Sequence, residues 1–229
     1  MVRSRPQRPT RERLLAAALA EFAGRGFDGA KVDRIAQRAG VNKAMLYYHF
    51  RSKAALYAEV MRVEFGAVGD AVAAVRERGG PPPAQLAAFV AAIAAETASR
   101  PHLPPIWLRE VAEGGRHLDE TVVLVLRRVL GTLAAILEEG RRAGDFAPAH
   151  PFLTQMSIVA PLMFCAASAP LRERMRHVLP AAATSLDPLA VLAHVQASTL
   201  AVVTRGAGVA RNAHQSSAGA RTRARRRAS

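Results

Sequence analysis

The side chains best suited to chemistry in this sequence cluster between Lys31 and Lys53, in KVDRIAQRAGVNKAMLYYHFRSK. Their types suit a nucleic acid better than a substrate. Lys43 can donate to the acceptor edge of a guanine or hold a phosphate. Ala44 and Met45 offer apolar contact to a thymine methyl. Tyr47, Tyr48, His49 and Lys53 carry donors of different reach for phosphate oxygens, and Lys31 and Arg34 can add two more from the preceding segment. Asn42 stands just ahead of this run, as a helix cap and as a further DNA-contact candidate at the exposed start of the helix. A blander reading makes YYHF a core aromatic cluster. It holds in part, because Leu46 and Phe50 lie four apart and must be core, but Tyr47 and Tyr48 cannot both point inward.

Positioning these groups takes two short helices and a turn. Residues 32–39 form a helix with Ile35, Ala36 and Ala39 inward and Arg34, Gln37 and Arg38 outward. Gly40 permits a left-handed turn, Val41 fills the angle, and a second helix covers 43–49. In such a helix-turn-helix (31–50) the second helix enters the major groove with its N-terminal residues toward base edges. A supporting helix runs from Arg11 to about Gly24, capped by Thr10. Leu15, Leu19 and Phe22 line its inner face, with Leu14 and Ala18 beside them. Gly24 and Gly26 end it, and Phe27 is a buried hinge residue. Ser52 caps a longer helix with Leu56, Val60, Val63 and Ala67 inward, and Gly66 and Gly69 are positions where it can kink.

Charge separates this end from the body. Residues 1–55 hold 12 Lys or Arg against 4 Asp or Glu, and residues 205–229 hold 7 Arg and no acid, within a net charge of +14. A basic end on a near-neutral body points to a polyanionic partner. The apolar mass is Ala, Leu and Val with few aromatics, which favours helices throughout. One cysteine, Cys165, excludes an internal disulfide and fits a reducing, cytoplasmic setting. Residues 147–171 are free of Asp, Glu, Lys and Arg but contain four prolines, so no membrane span or membrane partner is expected.

Beyond the Pro81–Pro83 break, helices are expected at 84–99, 106–113, 118–143, 151–168 and 188–204, with a shorter piece at 171–178. Residues 1–9 and 206–229 read as a disordered basic arm and an Arg-rich tail. Helix 188–204 has two apolar sides, Leu189, Leu192, Leu200, Val203 and Val191, Val195, Val202. Helix 151–168 spreads Phe152, Met156, Val159, Met163 and Phe164 around its circumference. A surface helix needs one apolar face, so these two helices are expected to meet a second copy as well as the core. Phe89, Ile93, His102, Leu103, Trp107, Met156, Met163 and Phe164 could line an apolar pocket. Glu110, Glu113 and His117 could face a metal on one unbroken helix, but Gly114–Gly115 interrupt it, so ion pairing is expected and no metal. Ser185, Asp187 and His194 lack a strained nucleophile turn. No catalytic residues and no cofactor are expected.

Residues 11–60 resemble the N-terminal domain of the TetR/AcrR family of bacterial repressors. The matching segments are RERLLAAALAEFAGRGFDGA and IAQRAGVNKAMLYYHFRSKAALY. The resemblance implies an all-α chain: a three-helix DNA-binding domain at 10–67 and a larger helical ligand-binding and dimerisation domain at 68–205. By position it implies DNA contact from Lys43, Ala44, Met45, Tyr47, Tyr48, His49 and Lys53. It implies a homodimeric repressor on a double-stranded palindromic operator, released by a small, largely apolar effector. An activator or a ligand-independent regulator is the alternative. Two positions depart from the family pattern. Lys31 stands where a small hydroxyl residue usually caps, and Ala44–Met45 where Gly–Thr is frequent.

Overall fold

Helices account for every regular element among the described residues, 9–204 of the computed structural model, and no strand forms there. In order they are α1 (Thr10–Gly29), α2 (Val32–Arg38), α3 (Lys43–Phe50), α4 (Lys53–Arg78), α5 (Pro82–Ser99), α6 (Leu103–Ala112), α7 (Glu120–Ala143), α8 (Pro151–Ala167), α9 (Ala169–Arg174), α10 (Ala181–Thr184) and α11 (Pro188–Thr204). The expected arm and tail lie outside the described residues, Pro9 apart. No described helix is long and apolar enough to cross a membrane.

The chain folds as two compact units. Within the described residues, one comprises 9–70, 95–128 and 163–185, the other 71–94, 129–162 and 186–204. The first unit holds α1–α3 and most of α4. Leu14, Ala18 and Phe22 of α1, Ile35 of α2, Leu46 of α3 and Leu56 and Met61 of α4 are its buried apolar residues there. Phe22 meets Tyr57 edge-on at 4.8 Å. α6 adds Leu103 and Ile106, and Trp107 meets Phe65 edge-on at 5.2 Å.

Several sequence expectations shift by a residue or more. Thr10 is the first helical residue, not the cap; Pro9 takes that position and gives no side-chain bond. α1 does not stop at Gly24. It continues to Gly29 through a kink at Gly26 (φ 70°, ψ 178°). Its buried face is centred on Leu14, Ala18 and Phe22, while Leu15 and Leu19 are half-buried. The rotation brings Glu21 inward, and an ion pair made across the fold explains it below. Phe27 is half-buried rather than buried.

α4 stays helical through Gly66 and Gly69. Its inner stripe passes from Leu56, Val60 and Met61 to Phe65, Val68, Val72 and Val75, leaving Val63 40% exposed. α6 begins three residues earlier than expected because Pro104 and Pro105 sit in its first turn, where a missing N–H costs nothing. α11 opens as expected, with Asp187 accepting the Leu189 N–H at 3.0 Å.

The second unit is tied by polar crosslinks as well as by its core of Leu86, Phe89, Val90, Leu133, Ile136 and Ile158. Arg76 grips Glu139 bidentately (2.7 and 2.8 Å) and also donates to Gln85 (2.7 Å). Gln196 of α11 donates to the Ala87 carbonyl at 2.9 Å, and the Ala147 N–H donates to the Val203 carbonyl at 2.7 Å.

Gly140, buried in α7, lies under the Phe146 ring. A Cβ placed there would come within 2.0 Å of a ring carbon, whereas one on Gly131 of the same helix would meet nothing within 4 Å. Gly140→Ala must displace Phe146 and is expected to lower stability by about 1–3 kcal/mol. Gly131→Ala should raise it by about 1 kcal/mol, the helix-propensity difference. Opposite signs in chemical denaturation check this geometry; two equal effects would contradict it.

Candidate nucleic-acid interface

The turn between α2 and α3 is built by hydrogen bonds rather than by loop packing. Gly40 (φ 66°) sits just past the end of α2. Its N–H reaches the Gln37 carbonyl at 3.0 Å, and the Val41 N–H reaches the Ala36 carbonyl at 3.0 Å. This pair of bonds reverses the chain at a helix C-terminus and requires a left-handed residue. Asn42 then accepts the Met45 N–H at 2.8 Å and starts α3, as its position in the sequence predicts. Leu46 and Phe50 are buried, which fixes the rotation of α3. Lys43, Ala44, Met45, Tyr47 and Tyr48 consequently face outward, with Tyr48 79% exposed. α3 hands over to α4 through Arg51, whose φ of 56° makes it the one non-glycine residue with positive φ among those described. Ser52 caps α4 by accepting the Ala55 N–H at 3.0 Å.

The pose of α2 depends on Glu21. This α1 carboxylate is 5% exposed and accepts from Arg34 Nε at 2.7 Å and from the Lys31 N–H at 3.3 Å. Arg25 stands 3.6 Å away on the same helix. Lys31 offers no side-chain cap to α2, so a carboxylate from a neighbouring helix takes the role. Arg34 also donates to the Gly29 carbonyl at 3.0 Å and is held to α1 by both bonds. Burial alone would raise the Glu21 pKa. The Arg34 and Lys31 hydrogen bonds and the Arg34 and Arg25 charges outweigh it and hold the group below its ordinary value. Glu21 was not among the sequence-derived site residues; its signal was an acid inside the apolar stripe of the first helix.

Lys43 and Lys53 have definite partners. Lys43 pairs with Asp33 at 3.0 Å; that hydrogen bond, then the Asp33 charge, raises the Lys43 pKa. Lys53 reaches the Asp28 carbonyl at 3.3 Å and lies 4.7 Å from the Phe27 ring centre, tying α4 to the end of α1. His49 is half-buried beside Tyr48, and its buried Nε2 has no hydrogen-bond partner among the described residues. Arg25, Arg34, Gln37 and Arg38 line an open groove of about 670 Å³ with Glu21, Ala20 and Gly24. Of that set only Arg34 had been singled out as a contact from the sequence. The i, i+4 spacing of Arg34 and Arg38 was the available signal for the groove.

The pocket candidates have varied surroundings. Phe89, Ile93, Leu103 and Met163 are buried, Trp107 and Met156 half-buried, His102 exposed and Phe164 66% exposed. Phe89, Ile93 and Met156 belong to the second unit; His102, Leu103, Trp107, Met163 and Phe164 belong to the first.

Two short helices joined by a left-handed glycine turn, the second capped, anchored inward and bare outward, define a helix-turn-helix DNA-binding protein. Residues 14–60 match the family described as bacterial regulatory proteins, tetR family. The chain is 29% identical to the HTH-type transcriptional repressor NicS of Pseudomonas putida over 147 residues, 63% of this chain and 69% of that protein. It is 28% identical to the HTH-type transcriptional regulator RutR of Escherichia coli over 149 residues, 65% of this chain and 70% of the other. A Rhodococcus regulatory protein in the tetR family has a similar fold, with a TM-score of 0.70 at 20% identity, covering 86% of this chain and 98% of that one. By these likenesses the chain carries a tetR-family DNA-binding domain at residues 14–60 and is similar to transcriptional regulators of that family.

Acid should loosen the three-helix packing. Glu59 of α4 is held by Arg62 (2.6 and 2.8 Å) and by Arg11 of α1. The Arg62 hydrogen bond leads in lowering its pKa to about 2. Glu21 and Glu59 both have folded values below the ordinary 4.5. Their stabilisation is therefore complete above that pH and is lost as pH falls through the folded values. Thermal midpoints of the wild type should drop between pH about 4.5 and about 2. Glu59→Gln should lower the neutral-pH midpoint and flatten that part of the profile, and an unchanged profile would refute the assignment.

Proposed function

We propose that this regulator is a homodimeric repressor that reads a palindromic operator with α3 and leaves it when a small effector binds the helical body. The observation that carries the reading is the outward face of α3. Lys43, Ala44, Met45, Tyr47 and Tyr48 are presented together on a helix whose start is capped and whose inner residues are fixed. In this reading Lys43, Ala44 and Met45 select bases, while Tyr47, Tyr48, His49, Lys31, Arg34 and Lys53 contact backbone phosphates. The name of the relative NicS, a repressor, supports the direction of control.

Support for the dimer comes from the exposed apolar residues of α8 and α11. Phe152, Leu153 and Phe164 are 51%, 64% and 66% exposed; Leu189 and Val202 are 72% and 55% exposed. The buried stripe of α11 is Val195, Thr199 and Val203. That leaves Leu189 and Val202 free to meet a second copy, in a symmetric contact that repeats the same patch on both chains. Two readers then lie one or more DNA turns apart, about 34–36 Å each. An effector that prefers the non-binding conformation would release the operator.

Operator selection from random DNA, followed by footprinting, tests the reader. Lys43→Ala should erase the preference for the selected site, while deleting Arg221–Arg227 should weaken binding uniformly and reduce its salt dependence. Equal losses of specificity from both changes would overturn the base-reading role. Leu189→Glu with Val202→Glu should convert the dimer to a folded monomer in analytical ultracentrifugation and abolish tight operator binding. A variant that stays dimeric would move the interface elsewhere.

A further inference from the structure

We propose that Glu110, Glu113 and His117 form a binding site for a divalent transition-metal ion of the zinc class, at the turn between α6 and α7. Along the sequence the two glycines after Glu113 break the helix and argue against a shared site. In three dimensions the same glycines assemble it. Gly114 and Gly115 both have left-handed φ, 76° and 71°. The Gly115 N–H returns to the Glu110 carbonyl at 2.7 Å and the Gly114 N–H to the Val111 carbonyl at 3.2 Å, a helix-ending reversal. The reversed chain delivers His117 back over the last turn of α6.

The three donors then meet. His117 Nδ1 lies 3.0 Å from Glu110 Oε1 and 3.5 Å from Glu113 Oε2. One ligand atom from each residue falls within 4.8 Å of the others. Donors bound to zinc at about 2.0–2.2 Å stand about 3.0–3.5 Å apart along the edges of a coordination polyhedron. An imidazole with two carboxylates suits zinc or a neighbouring first-row ion, with water completing the set.

A second observation calls for a cation at this place. The Glu110 side chain is 3% exposed, and its one ionic partner among the described residues is His117. A buried carboxylate needs a positive charge nearby, and no lysine or arginine forms a salt bridge with this one among the described residues. Tyr57 of α4 donates its hydroxyl to Glu110 Oε1 at 2.6 Å, the kind of outer hydrogen bond that orients a metal-binding carboxylate. His117 is oriented by stacking on Phe27, ring centres 4.3 Å apart, and its own N–H reaches Glu110 Oε2 at 3.4 Å. Arg116 bridges Glu113 (3.3 Å) and Asp28 (2.6 Å), so it can keep Asp28 when Glu113 turns to the ion. An open groove of about 380 Å³, lined by Phe27, Tyr57, Arg116, His117 and Asp119 among others, gives solvent a path to the ring.

The test uses the untagged full-length chain and Zn²⁺ or Co²⁺ alone. Isothermal titration and equilibrium dialysis should give one ion per chain. Bound Co²⁺ should show the visible absorption of a site with one nitrogen and oxygen donors, without a thiolate charge-transfer band. Glu113→Gln, at a half-buried position, should weaken Zn²⁺ binding at least tenfold with helicity unchanged. His117→Gln should do the same. No uptake by the folded wild type, or uptake that survives both substitutions, would overturn the proposal and leave the cluster as an ion pair.

Discussion

A single buried carboxylate sets the geometry of the DNA-reading end. Glu21 accepts the N–H of Lys31, the residue just ahead of α2, and the Nε of Arg34 while sitting on α1. A charge at that depth is destabilising unless it is paired and hydrogen-bonded, so its partners have little freedom to move. The orientation of α2 follows from it, the Gly40 turn transmits that orientation, and α3 inherits it through Leu46 and Phe50. The polar face of α3 is exposed because every inward direction has already been assigned.

Two helix reversals of the same kind have different consequences in this chain. After α2, Gly40 turns the backbone so that a capped reading helix follows. After α6, Gly114 and Gly115 turn it so that a histidine returns to two glutamates. In both cases a left-handed glycine closes the last carbonyls of a helix, and the next few side chains determine what the turn is for. The second reversal also lies beside Phe27 and Tyr57, aromatic residues of α1 and α4.

Apolar surface is distributed unevenly along the body. α5 and the middle of α7 bury their large side chains, whereas α8 and α11 keep Phe152, Leu153, Phe164, Leu189 and Val202 exposed. α8 contains no Asp, Glu, Lys or Arg, and Pro161 in its interior leaves a carbonyl without its usual i+4 donor. Such a helix suits a packed environment on most of its circumference, which is the physical basis for placing a second copy there.

The sequence by itself determined the helix-turn-helix, the cap at Asn42, the left-handed turn at Gly40, the inward Leu46 and Phe50 and that Tyr47 and Tyr48 cannot both point inward. Each is a local consequence of helical period, glycine conformation or side-chain capping, and needs no distant partner. The family resemblance followed from the same residues. Tertiary structure decided what depends on residues far apart in the chain. Glu21 turned inward because Arg34 meets it across the fold, rotating the buried face of α1 away from Leu15 and Leu19. Lys53 was drawn to Asp28 and Phe27, and the inner stripe of α4 shifted at Phe65 where Trp107 packs against it. The chain reversal at Gly114–Gly115 gathered three residues that, read along the sequence, a broken helix had seemed to separate.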